Sequence, residues 1–189
     1  MSQARTINGN QARSFIAFLK AGKNAERNAA AFALSYYAGM RVGEIASLTI
    51  ADVQLADGRV KDVIYLSADM TKGNNGREVF LNKTAKRYVA DLLKAGSYKP
   101  AYPLIQTMGS RKHFTANSLS IVFRNLYKAA GLEGCSSHTG RRSFCSNLAN
   151  SGVGIRVIQK LSGHRSIQSV QPYLDANEEM VKNAVELVV

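Results

Sequence analysis

In the stretch His138-Thr139-Gly140-Arg141-Arg142-Ser143-Phe144, a histidine stands three positions ahead of an arginine and the apolar pattern of a helix follows. Residues so spaced lie one helical turn apart, so His138 and Arg141 can face the same point. Either this is a helix start that happens to carry positive charge, or the two side chains converge on an anion. For the second task a guanidinium supplies a planar fork of permanently charged donors, and an imidazole supplies a donor or a proton relay. Arg41 lies in the largely apolar stretch Gly39-Met40-Arg41-Val42-Gly43-Glu44. A guanidinium buried there requires an anionic partner. Glu44 fits two readings equally: a structural ion pair with Arg41, or a carboxylate that orients Arg41 while its fork grips a phosphate. His164, in Leu161-Ser162-Gly163-His164, is a second histidine at a Gly/Ser/Arg-rich junction. The third, His113, lies in the basic loop Ser110-Arg111-Lys112-His113 and has no patterned company. Taken singly, Lys72 beside a turn reads as a solvated lysine, and Tyr173 after Pro172 as a core tyrosine.

These residues must be positioned by regular elements, and the apolar spacing predicts mostly helices. Helices are expected over 10–21, closed by Gly22, over the alanine-rich 25–38, closed by Gly39, and over 42–47 just after Arg41. The period then changes. Val60 and the run Val63-Ile64-Tyr65-Leu66 after the turn Ala56-Asp57-Gly58 read as strand, as does Arg77 to Leu81. Lys72-Gly73-Asn74-Asn75-Gly76 between them is a strong turn signal, so a hairpin is expected. Further helices are expected over 83–94, 117–130, 139–150 and 155–161, with a short one near 167–174 and an amphipathic last one over 177–187.

The 189 residues suffice for one domain with its own core, and the formal net charge is +12. Such a charge points to a polyanionic partner, nucleic acid first and an anionic membrane surface second. No apolar run has the length of a membrane span, and Met1 to Arg13 lacks the apolar centre of a signal peptide. A soluble, cytoplasmic protein is the expectation. Cys135 and Cys145 are expected to be small buried residues in a reducing compartment. No carboxylate–histidine set has metal-ligand spacing, so neither a metal nor another cofactor is expected.

Arg41, Lys72, His138, Arg141, His164 and Tyr173 occur in an order and spacing that, with GMRVGEIASL, the TKG turn, HTGRRSF, LSGHRSIQSVQPY and YLDANEEM, strongly resembles the tyrosine recombinase (phage integrase) family from about Asn10 to the C-terminus. The resemblance implies an α+β, mainly α, fold with a small antiparallel three-stranded sheet, and a single catalytic domain over 1–189 without the N-terminal core-binding domain common in the family. It implies that Arg41 and Arg141 clamp the non-bridging oxygens of a DNA phosphodiester, with Glu44 supporting Arg41. Tyr173 would attack phosphorus to give a 3′-phosphotyrosine, and His138 would accept or relay its proton. His164 would hydrogen-bond a phosphate oxygen, and Lys72, on the hairpin, would protonate the departing 5′ oxygen. Neither metal nor ATP is required. Arg142 is expected to meet the flanking DNA backbone or an acidic partner, and Arg111 and Lys112 to track neighbouring phosphates. The partners implied are double-stranded DNA, further copies of the chain in a tetramer on DNA, and possible accessory DNA-bending factors. A type IB topoisomerase-like nicking-closing enzyme and a silent DNA-binding remnant are the alternatives. One departure from the family is Ser169-Val170-Gln171-Pro172 where a threonine-rich approach to the tyrosine is usual; proline there stiffens the segment.

Overall fold

The structure is a computed structural model that describes residues 4–71, 75–96, 99–109, 112–173 and 185–186. Eight α-helices and a hairpin follow one another within these residues: α1 Gly9–Ala21, α2 Ala25–Ala38, α3 Val42–Ser47, α4 Ile50–Val53, β1 Val63–Leu66, β2 Arg77–Phe80, α5 Lys83–Lys94, α6 Ala116–Ala129, α7 Thr139–Asn150 and α8 Ile155–Ser162. Two 3₁₀ turns, Ile167–Ser169 and Gln171–Tyr173, stand where one short helix is expected.

Helix α2 is the central post. Its alanines leave no polar face, and it is buried on nearly every side by α1, α5, α7 and α3. Phe15 of α1 packs edge-on against Phe32 of α2 at a centroid separation of 5.0 Å and stacks on Tyr127 of α6 at 4.5 Å. This aromatic cluster sits in the main core, which extends through Leu34, Met40, Ile45, Leu48 and Ile64 to Leu104 and Ile105. A separate, smaller core of Cys145, Ala149, Ile158 and Val170 binds α7 to α8 and the 3₁₀ turns, and Tyr173 packs against it. Both cysteines are buried and free, as expected.

Where α7 crosses α2, Gly140 meets Ser35. A Cβ on Gly140 would lie 2.5 Å from the Ser35 hydroxyl oxygen, so the glycine of the HTGRRSF stretch is required for the two helices to approach. Helix starts follow side-chain chemistry: Asn8 and Gln11 form a capping box on α1, and the Asn82 side chain accepts from the Ala85 N–H on α5. The short α4, which the periodicity missed, is held at its start by Thr49 and Asp52.

The sheet corrects one expectation. Among the described residues it has two strands, not three: β1 and β2 pair antiparallel, Val63 opposite Phe80 and Leu66 opposite Arg77. The third strand was implied by the resemblance alone; Val60 was expected to run on into the Val63–Leu66 strand. It folds back locally instead, bridging Gln54 around the Asp57–Gly58 turn, while the Lys61 N–H is taken by the Val53 carbonyl. With its ladder groups spent beside α4, the segment adds no strand to the hairpin. The expected last helix lies almost wholly outside the described residues.

Candidate active site

Four elements deliver the sequence-picked residues to one end of α2. Gly39 closes α2 in the left-handed conformation, and the chain turns through Met40 to Arg41, the cap residue of α3. The Arg41 backbone N–H donates to Glu44 Oε2 and its Nη1 to Glu44 Oε1, both at 2.8 Å. Its Nη2 donates to the Gly163 carbonyl at 2.9 Å, tying α3 to the end of α8. These bonds use only part of the fork, and the side chain remains 28 % exposed, so the rest of it can meet a ligand.

Glu44 is 1 % exposed, and it answers to two arginines. Arg77, the first residue of β2, donates from Nη2 to Glu44 Oε2 at 2.7 Å and from Nε to Oε1 at 3.2 Å. Its Nη1 reaches the Leu161 carbonyl of α8 at 3.0 Å. Burial pushes the Glu44 carboxyl pKa up, but the hydrogen bonds and charges of Arg77 and Arg41 outweigh it and hold the group below its ordinary value. The structural and the functional readings of the Arg41–Glu44 pair are therefore compatible. The carboxylate is fully engaged, and it sets the position of a guanidinium that still has donors to offer. Arg77 was missed by the sequence reading because a strand residue after a turn carries no helical spacing to Glu44; the only available signal was a charged residue opening a strand whose partner is apolar.

Arg141 is 5 % exposed. Its Nη1 donates to the Gly39 carbonyl at 2.7 Å and its Nη2 to His164 Nε2 at 3.1 Å. Burial, then the nearby charge of Arg41, lowers the guanidinium pKa to about 10. It remains a cation at neutral pH. His164 is lowered to about 4, by burial first and then by the charges of Arg141, Arg41 and Arg77, and is neutral. Gly163, before it, has a φ of +63° and lies so close to Arg77 that a Cβ would fall 2.4 Å from Arg77 Cδ. Only glycine both turns the chain here and admits the arginine.

Tyr173 lies in the second 3₁₀ turn with its ring centroid 5.9 Å from that of His164. The Arg142 guanidinium carbon is 5.4 Å from the same tyrosine ring, so this side chain faces the cluster. Burial, then the nearby Cys145 thiol, raises the Tyr173 pKa against the lowering pull of Arg142, Arg141 and Arg41, and the phenol is protonated in this state. A base must therefore remove its proton before it can act as a nucleophile. His138 caps α7 with an exposed side chain, three residues before the buried Arg141. Lys112 is exposed on the loop before α6. Lys72 and Arg111 lie outside the described residues. Thr71 and Asn75, which flank residues 72–74 in the chain, are joined by a 2.7 Å hydrogen bond from the Thr71 hydroxyl to the Asn75 carbonyl. Both line a cavity of about 180 Å³ with Arg41, Arg77, Gly163, His164 and Arg165.

Arg41 and His164 thus line one small cationic recess, with the buried Arg141 behind it bonded to His164 and the Tyr173 ring beside that histidine. Among the described residues no group of three His, Cys, Asp or Glu side chains is placed to hold a metal ion. No described helix is long and apolar enough to cross a membrane.

A helical domain that gathers two oriented arginines, a neutral histidine and a tyrosine at one end of α2 presents cationic donors suited to an anion, beside a phenol. The model of the phage integrase family matches residues 5–180, and the chain belongs to that family. Among curated proteins it is 31 % identical over 172 residues to tyrosine recombinase XerC of Treponema denticola, covering 83 % of this chain and 54 % of that protein. It is 30 % identical over 162 residues to tyrosine recombinase XerD of Rickettsia conorii, covering 80 % and 53 %. The chain spans about half the length of the curated relatives it matches. Its fold is that of the XerA recombinase crystal structure (TM-score 0.77, 22 % identity, 98 % of this chain and 65 % of that one). It is equally that of the Tn1549 transposon integrase in complex with circular intermediate DNA (TM-score 0.77, 18 % identity, 100 % and 68 %).

Proposed function

We propose that this chain carries the catalytic machinery of a site-specific DNA recombinase that breaks and rejoins strands through a 3′-phosphotyrosine. The observation that carries this is the convergence of Arg41, Arg141 and His164, far apart in sequence, with the Tyr173 ring beside them. A phosphodiester resists attack because nucleophile and phosphate repel each other and the alkoxide leaves poorly. Two guanidiniums on the non-bridging oxygens offset the charge that grows in the transition state. Tyr173 attacks phosphorus and loses its proton to His138; the P–O5′ bond breaks, and Lys72 protonates the leaving oxygen. The phosphotyrosine conserves the bond, so a 5′-hydroxyl from a partner strand reverses the step without ATP.

Duplex DNA as the partner is supported by the DNA complex of the transposon integrase that shares this fold. Strand exchange further requires several copies on DNA, and we assign the chain to a tetramer there, with a DNA-bending factor as an optional accessory. Its place is the cytoplasm of a bacterial host, where its substrate is. The test is a nicked duplex whose short 5′ fragment diffuses away after cleavage. A covalent protein–DNA adduct is expected with the wild type and none with Tyr173→Phe. An adduct that persists in Tyr173→Phe, or none on any DNA that the protein binds, overturns the proposal. Gel-shift detection of two paired duplexes separates strand exchange from simple nicking and closing.

A further inference from the structure

His164 is held from both sides, and the identity of its partners fixes its proton. Arginine has no acceptor, so the bond from Arg141 Nη2 requires a lone pair on His164 Nε2. The neutral ring therefore carries its hydrogen on Nδ1. The Ser162 hydroxyl oxygen lies 2.7 Å from Nδ1 and receives it. Ser162 is fully buried and passes its own hydrogen to the Ile158 carbonyl at 2.6 Å. The chain Arg141 → His164 → Ser162 → Ile158 runs in one direction, with the Gln159 carbonyl at 3.4 Å and the Cys145 thiol as further neighbours of the Ser162 hydroxyl.

A bound phosphodiester reverses the demand on this chain. Its non-bridging oxygens only accept, so His164 can contribute a hydrogen bond only from Nε2–H. Nδ1 must then become an acceptor and needs a donor. A hydroxyl can serve in both states, since it turns its hydrogen from the Ile158 carbonyl to Nδ1. A carboxylate or an alanine could not. The surrounding charged and titratable groups (Arg141, Arg142 and Cys145 of α7, Arg41 and Glu44 of α3, Arg77 of β2, and Tyr173) offer Nδ1 no comparable partner.

We propose that Ser162 is a positioning residue that lets His164 carry its proton on Nδ1 in the free protein and on Nε2 when a phosphate occupies the recess. The ring stays neutral: one proton leaves Nδ1 for solvent, one from solvent arrives on Nε2, and Arg141, still protonated, turns the Nη2–H released by His164 to the phosphate. This rests on the phosphoryl-transfer reading above, but its first test needs no DNA.

In the free protein labelled with ¹⁵N-histidine, His164 is expected to show a protonated Nδ1 whose hydrogen exchanges slowly, and an unprotonated Nε2. A protonated Nε2 in that state overturns the proposal. In Ser162→Ala the Nδ1-attached hydrogen is expected to exchange fast or vanish from the spectrum. Alanine suits the last turn of α8, and thermal melting checks that the fold persists. An unaltered slow resonance in that variant counts against the assignment. On the nicked duplex, Ser162→Ala is expected to cleave about tenfold more slowly with unchanged DNA affinity, the size of effect seen where the far nitrogen of a metal-bound histidine loses its partner. Unchanged cleavage overturns the bound-state half. Failure of the Tyr173→Phe test would instead remove the recombinase reading and leave the free-state spectrum to stand or fall alone.

Discussion

At Arg77 and Glu44 the site depends on an ion pair almost closed to water: the Arg77 side chain is 11 % exposed and that of Glu44 1 %. Removing one partner leaves a buried charge short of its counterion. Arg77→Ala is therefore expected to destabilise the fold by about 3 kcal/mol. Arg77→Lys keeps the charge but loses the second donor to Glu44 and the bond to Leu161, and is expected to slow cleavage more than it weakens DNA binding. Denaturant titration and single-turnover cleavage measure the two. His164 gives a pH signature. Its folded pKa of about 4 lies below the unfolded 6.5, so the unfolded chain binds the proton first as pH falls. Stability is expected to be full above about pH 6.5 and to decline toward pH 4, by on the order of 2 kcal/mol for a ring partly open to solvent. The loss tied to Glu44 begins only below its ordinary value of 4.5, because its folded pKa is depressed. Urea titrations of wild type and His164→Gln between pH 4.5 and 7 separate the two: the slope above about pH 5 is expected to flatten in the variant.

Among the elements, α7 and α8 carry the site and the hairpin braces it. The α2–α7 crossing is set by Gly140 on Ser35, so Gly140→Ala is expected to push α7, and Arg141 with it, away from Gly39. Overpacking of this kind costs about 2 kcal/mol, and a fall in Tm together with slower cleavage is the expected outcome. Most helices were legible because their apolar residues recur at 3.6-residue spacing and glycines mark their ends. Helix α4 was not, since four residues held by Thr49 and Asp52 are too short to show a period. Val60 was read with the first strand because it has the strand composition, but the Asp57–Gly58 turn returns it to Gln54. Composition reports which residues suit a strand, and the neighbouring turn decides what they pair with.

For the whole molecule, the charge of +12 is the property most exposed to solution conditions. DNA binding by six or more phosphate contacts is expected to weaken about a thousandfold between 50 and 200 mM salt, read as the slope of log Kd against log salt in filter binding. Because charge and protons are supplied by side chains in the proposed mechanism, adduct formation is expected to survive EDTA. Loss on chelation with recovery on adding a metal ion would require a different mechanism. The two-core build gives a physical partition. The core around α2 sets Arg41 and Glu44, while the smaller one around Cys145 carries the 3₁₀ turns and Tyr173.

The order Arg41, Lys72, His138, Arg141, His164, Tyr173, the helical content and the basic charge were settled by the amino-acid order alone, because residue type, apolar period and net charge are local or additive properties. Tertiary structure decided what these residues touch. Arg77 joining Glu44 to α8, Arg142 turning to Tyr173, and His164 Nδ1 meeting the Ser162 hydroxyl each depend on which atoms meet across 2 to 84 positions of chain. Those meetings are fixed by how closely α7 can approach α2 and by how Gly163 turns the chain, and no spacing rule encodes such distances.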